Sequence, residues 1–188
     1  SDKDNTITLN EIVEDAFGAL IWIKHNISRY KGDNSKIAVT GDSAGAHLSA
    51  MIVNSGVKLS SQGRFENSLS FTPTYLPKGK TAEQTGLDND LTVQAAILSY
   101  GTFDIYNSAL EGFETFKNPF WLISKSKARG VFGNQYNATK NPQMYKALSP
   151  IYNIPKQEYM TLPPQFILVG SKDKLTTPAS VKDYLYKL

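Results

Sequence analysis

Between the apolar run Ile37-Ala38-Val39-Thr40 and the helix-like run from Ala44 to Ile52 stands the pentapeptide Gly41-Asp42-Ser43-Ala44-Gly45. A glycine-x-serine-x-glycine turn in that setting constrains the chain strongly: a tight strand-to-helix turn lifts a serine hydroxyl above a sheet edge, with the helix N-terminus behind it. Ser43 is therefore the candidate nucleophile. Gly41 and Gly45 are expected where a Cβ would crowd the crossing of strand and helix. The backbone N–H of Ala44, which follows the serine, is the natural donor to an oxyanion formed on a carbonyl that Ser43 attacks. Asp42 lies next to the positive helix end, where a carboxylate is favourable, and is read as part of the turn, not of the chemistry.

The surrounding pattern is α/β. Ile12, Val13, Ala16, Phe17, Leu20, Ile21, Trp22 and Ile23 recur with a helical period, so residues 10–29 read as an amphipathic helix capped by Asn10, with Glu11 and Glu14 near its start. A helix then a short buried strand is an α/β unit. The helix after Ser43 carries Leu48, Met51 and Ile52, with Ala46 and Ala50 small enough for close approach to a sheet, and is expected to end at Ser55-Gly56. His47 lies one turn beyond Ser43, a position suited to packing more than to general-base work, and His25 has no acid placed for it locally.

Between Lys58 and Asp90 no period survives, and Phe65, Phe71, Tyr75 and Leu76 either cover a pocket or pack a loop. Leu91 to Tyr100 is a near-continuous apolar run, as in a strand covered on both faces. The block 102–127 is dense in aromatics, among them Phe103, Tyr106, Phe113, Phe116, Phe120 and Trp121. That density suggests a cap or lid insertion over residues 102–160, with ordinary packing as the alternative. The run Gln165 to Val169 is a further strand, and Asp173 follows its end. Reacting groups collect at that end of open α/β sheets, so Asp173 is the candidate carboxylate for orienting a catalytic histidine, a surface turn being the alternative. Residues 178–188 close with a helix.

With 188 residues and 40% hydrophobic content, one domain with a sizeable core is expected. Twenty basic and 17 acidic residues leave a formal charge of +3, with the basic residues spread along the chain, which does not indicate a nucleic-acid partner. The chain has no cysteine and two histidines, so no disulfide, thiolate ligand, metal or organic cofactor is implied. No stretch approaches membrane-spanning length, and Ser1 to Asn5 does not resemble a signal peptide. Asn26-Ile27-Ser28 and Asn137-Ala138-Thr139 match the glycosylation acceptor pattern.

Taken together, these motifs resemble the α/β-hydrolase fold, and within it the acyl esterases related to hormone-sensitive lipase and the feruloyl, acetyl-xylan and arylformamide hydrolases. Gly41 to Leu48 resembles their nucleophile elbow. Ala147-Leu148-Ser149-Pro150, followed by Leu162 to Asp173, resembles the segment that leads to their catalytic acid. The resemblance implies Ser43 as nucleophile, Asp173 as acid and the Ala44 N–H as one oxyanion donor. It departs at Ala46, where many relatives carry glycine. It also implies a glycine-rich oxyanion loop before the first helix and a histidine after the acid, and neither is present. The chain is therefore read as a single hydrolase-like domain over 1–188, incomplete at both ends, with a partial, doubly covered, mostly parallel sheet. A companion segment or chain is expected to supply the histidine, and the 188 residues alone are expected to be poorly folded and inactive. The implied activity is hydrolysis of small-molecule carboxylic esters of small or medium acyl groups through an acyl-enzyme. A serine peptidase of the same fold and a non-catalytic binding module are the alternatives.

Overall fold

The computed structural model describes residues 6–55, 58–156, 158 and 161–188. In chain order its elements are α1 (Leu9–Asn26), β1 (Ala38–Asp42), α2 (Ala44–Ser55), α3 (Phe65–Ser68), α4 (Ala82–Leu87), β2 (Ala95–Ser99), α5 (Ile105–Leu110), α6 (Pro119–Ile123), α7 (Pro142–Ala147), β3 (Gln165–Leu168) and α8 (Pro178–Leu185). The three strands form one parallel sheet in the order β1-β2-β3, with Thr40 opposite Ile97 and Ile97 opposite Phe166. Parallel neighbours require crossover connections, and α2 fills that role by packing across both β1 and β2. The chain thus has the α/β architecture that its apolar runs predict.

The first helix starts earlier than Asn10. Its N-cap is Thr8, whose backbone N–H donates to the Glu11 carboxylate at 2.6 Å, the return half of a capping box. Asn10 instead lies in the first turn, buried, and accepts from the Thr8 hydroxyl. Val13, Phe17, Leu20 and Ile21 form the buried stripe, whereas Ile12, Trp22 and Ile23 face solvent in part. The regular helix ends at Asn26 and continues as a 3₁₀ turn over Ile27–Tyr30. Asn26 is buried with its amide donating to the Trp22 carbonyl, so the first glycosylation match is not an accessible acceptor. Gly18 lets the loop after β-bridge residue Phe71 cross the helix closely: a Cβ there would stand 2.7 Å from the Tyr75 nitrogen.

Residues 58–90 hold two short helices and pack. Phe65 and Phe71 belong to the core, and Phe71 meets Phe17 edge-on at 5.4 Å, so these aromatics fix the loop onto α1. The expected end of α2 at Ser55-Gly56 agrees with its last residue, Ser55, while Gly56 lies outside the described residues. Residues 102–127 divide by role. Phe103 is buried and stacks on Tyr184 of α8 at 4.3 Å; Phe113, Phe120 and Trp121 pack on one another; Phe116 is exposed. Met160, the end of the expected cap, lies outside the described residues.

Among the described residues one sheet face is covered and the other is not, short of the double cover expected from the apolar strands. Ala96 and Leu98 are buried, while Ile97, Phe166 and Leu168 on the alternate positions are 44, 64 and 41% exposed. The described residues therefore cover the sheet on a single face, and β1 and β3 each pair only with β2.

Candidate functional site

The turn from β1 into α2 carries the backbone signature that the pentapeptide predicts. Ser43 has φ +53°, the left-handed region that a non-glycine residue enters at a cost of about 1–3 kcal/mol. Three contacts hold it there. Its N–H donates to the Ser99 carbonyl at the end of β2 (2.9 Å), its own carbonyl accepts from the His47 N–H (3.1 Å), and Gly41 lies against Gly45 so closely that a Cβ would be 2.2 Å from the Gly45 carbonyl carbon. Ser43 and Ala44 are both exposed. As the first residue of α2, Ala44 has an N–H among the first-turn donors that lack intrahelical acceptors, so it is available to a developing anion.

The two glycines do different work. Gly41 has the steric requirement expected of it, but a Cβ on Gly45 would meet nothing within 4 Å, so crowding within this chain does not explain that glycine. Ala46 is fully buried, and its Cβ would lie 2.9 Å from a Cβ placed on Gly101. The methyl that replaces the usual glycine in the elbow is thus accommodated by a glycine just beyond β2. Asp42 ends β1 and is exposed, beside the N-terminus of α2.

Asp173 follows β3 in a turn in which its N–H donates to the Gly170 carbonyl. Its Oδ1 accepts from the backbone N–H groups of Leu175 and Thr176, at 2.8 and 2.9 Å, which fixes the carboxylate and engages one of its two oxygens. The i to i+2 and i+3 spacing of those donors is an Asx turn, legible in principle from an aspartate just past a strand. Ser43 and Asp173 lie beyond the carboxyl ends of β1 and β3, parallel strands separated by β2. Two strand spacings put those ends about 10 Å apart.

Neither histidine joins them. His47 is 2% exposed, and its Nε2 donates to the Leu148 carbonyl at 2.7 Å. Burial holds its pKa down to about 4, against that hydrogen bond. His25 pairs instead with Asp90 at 2.9 Å, a partner 65 positions away that local sequence could not reveal. Among the described residues no group of three or more metal-ligating side chains forms a site. A surface groove of about 630 Å³ lined by Lys58, Gln143, Lys146 and Tyr152, and a second of about 460 Å³ lined by Glu66, Tyr136 and Met144, include neither Ser43 nor Asp173.

Comparison with known proteins gives this geometry a context. Over 172 residues the chain is 30% identical to esterase LipQ of Mycobacterium tuberculosis, covering 92% of this chain and 32% of that protein. Over 170 residues it is 28% identical to the probable carboxylic ester hydrolase LipM of the same organism, covering 90 and 32%. The chain thus spans about a third of the length of these relatives. Among solved structures, a truncated carbohydrate esterase from gut microbiota matches with a TM-score of 0.61 at 20% identity, over 93% of this chain and 54% of that one. The butyrate-bound esterase 2 of Thermogutta terrifontis matches at 0.57 and 19% identity, over 98 and 52%. The α/β-hydrolase fold is common to them, and the family model described as BD-FAE matches residues 4–188. The chain belongs to the BD-FAE family.

Proposed function

We propose that the protein carrying this chain hydrolyses carboxylic esters of small or medium acyl groups, borne on a sugar or an aromatic alcohol, through an acyl-enzyme on Ser43. The observation that carries the reading is the left-handed Ser43 between β1 and α2, a strained backbone conformation held by the Ser99 carbonyl and by the close approach of Gly41 to Gly45. The ester-hydrolase names of the relatives support it. So does the solved esterase 2 of Thermogutta terrifontis, seen with butyrate bound and phosphorylated by paraoxon. The carbohydrate esterase among the structural relatives supports a sugar-borne ester.

In this reading the Ser43 hydroxyl loses its proton to a histidine, and its oxygen attacks the acyl carbonyl. The alcohol leaves with the proton that the histidine returns, and water repeats the sequence to release the acid. The Ala44 N–H is one donor to the oxyanion. Asp173 orients the histidine through the oxygen that Leu175 and Thr176 leave open. Because His47 is buried on the Leu148 carbonyl and His25 is paired with Asp90, the histidine is assigned to residues outside this chain. A glycine-rich loop from outside the chain supplies the second oxyanion donor. The bare sheet face at Ile97, Phe166 and Leu168 and the open edges of β1 and β3 support a companion segment that completes the sheet. Residues 102–160, inserted between β2 and β3, are assigned as the cap over the acyl group.

Turnover of p-nitrophenyl acyl esters by the protein at its natural length tests this. Ser43→Ala abolishes turnover. Asp173→Asn, which keeps the turn hydrogen bonds through its amide oxygen but presents an amide to the histidine, lowers kcat by about 10³–10⁴-fold. Full activity of either variant contradicts the assignment of that residue.

A further inference from the structure

The cations of this chain are spread along it, but the acids are not. From Thr115 to Gln157, 43 consecutive residues contain seven lysines and arginines and no aspartate or glutamate, in a chain whose total formal charge is only +3. The same stretch begins with the most exposed apolar side chains of the insertion: Phe116, Leu122 and Ile123 are 84, 82 and 75% exposed. Scattered exposed hydrophobics are ordinary, but three large side chains within eight positions, each almost wholly in water, form a patch.

The local structure explains why they point outward. Asn118 caps α6 by accepting from the Phe120 N–H at 2.9 Å, and Pro119 opens the helix. The inner side of this single turn is occupied: Trp121 donates its indole N–H to the Phe113 carbonyl (2.5 Å), and its ring packs at 5.7 Å from Phe113 and 5.2 Å from Phe120. Trp121 is held by those contacts and Phe120 is about a third exposed against its ring, whereas Leu122 and Ile123 project almost fully into solvent. Lys117, Lys125 and Lys127, all exposed, flank them. Arg129 instead donates to the Ile7 carbonyl and ties the segment to the start of α1.

We propose that residues 116–127 are an attachment site for an anionic lipid surface. Phe116, Leu122 and Ile123 enter the boundary between headgroups and acyl chains, and Lys117, Lys125 and Lys127 remain among the anionic headgroups. Apolar side chains bordered by lysines, in a stretch that itself contains no carboxylate and with Glu114 just before it engaged by the Val131 N–H and the Tyr145 hydroxyl, are the combination that such a surface binds. The complementary charge selects an anionic bilayer over a second copy of this chain, which would set the same lysines against one another. The inference is independent of the chemistry proposed for Ser43, so the two stand or fall separately.

Co-sedimentation of the protein at its natural length with phosphatidylcholine vesicles, with and without phosphatidylglycerol, tests it. Binding is expected to the anionic vesicles, to weaken as salt rises, and to be unchanged in Ser43→Ala. A Lys117→Gln, Lys125→Gln, Lys127→Gln variant is expected to lose about 100-fold in affinity, three lysines acting near a charged surface. Phe116→Ser, Leu122→Ser, Ile123→Ser is expected to lose at least about tenfold. All six side chains are exposed, so circular dichroism of both variants should match the parent. Absence of binding to anionic vesicles overturns the proposal. So does binding that both variants retain, which places membrane attachment elsewhere. A serine variant that turns a dimer into a monomer without changing vesicle binding overturns it too, and makes the patch a contact between copies.

Discussion

His47 shows how a buried residue one turn from the candidate nucleophile is kept out of proton transfer. Its imidazole is packed between α2 and the segment before Pro150, neutral, with Nε2 donating to the Leu148 carbonyl. Burial lowers its pKa to about 4, whereas an unfolded histidine titrates near 6.5. Between those values the unfolded chain binds a proton that the folded chain refuses. The stability contribution is therefore complete above about pH 6.5 and is lost as pH falls toward 4, by up to about 3 kcal/mol. Denaturant unfolding of the parent and of His47→Gln between pH 4 and 7 checks this: the parent should lose more stability over that window. Equal slopes would show that His47 is not buried as a neutral group. At this scale the sequence was a good guide where a short motif dictates local backbone, as at Ser43, Ala44 and Gly41. It was a poor one where the partner is remote, as with Asp90 on His25 or the Leu148 carbonyl on His47. Gly45 lay between these cases: the motif marked it, but the crowding expected of it is found at Gly41 alone.

At the scale of elements, the approach of α2 to the sheet depends on a pair of small residues. Ala46 fills the space that Gly101 leaves, with the Phe103 ring closing the other side. Gly101→Ala would place a Cβ 2.9 Å from Ala46 Cβ and 2.8 Å from the Phe103 ring, too close for either to stay in place. It should destabilise by about 1–3 kcal/mol, and Ala46→Gly in the same chain should recover at least about 0.5 kcal/mol of that loss. Thermal or urea unfolding of the two single variants and the double variant measures the coupling; strictly additive losses would refute it. The two long helices could be read from helical period because ten or more residues repeat the signal, and the strands from the continuity of their apolar runs. The helices over Phe65–Ser68 and Ala82–Leu87 could not, since four to six residues complete fewer than two turns. The cap of α1 was misplaced by two residues because Thr8 and Asn10 both favour that position, and the Glu11 carboxylate decides for Thr8.

For the whole molecule, three parallel strands place the elbow and the Asp173 turn at one end of the sheet, and among the described residues a single covered face leaves Ile97, Phe166 and Leu168 partly in water. The sequence anticipated the parallel sheet, but the continuous apolar strands led to an expectation of cover on both faces, and among the described residues only one face is covered. It did not show which aromatics of residues 102–127 enter the core, since density of aromatics is the same whether they pack inward or outward. We propose that this arrangement activates Ser43 when the rest of the protein is present. The most direct measurement is reaction of the protein at its natural length with a serine-directed fluorophosphonate, followed by mass spectrometry of its peptides. One adduct is expected, on the peptide containing Ser43, absent after denaturation and absent in Ser43→Ala. An unmodified Ser43 in folded protein, or an adduct on another serine that Ser43→Ala leaves in place, would contradict it.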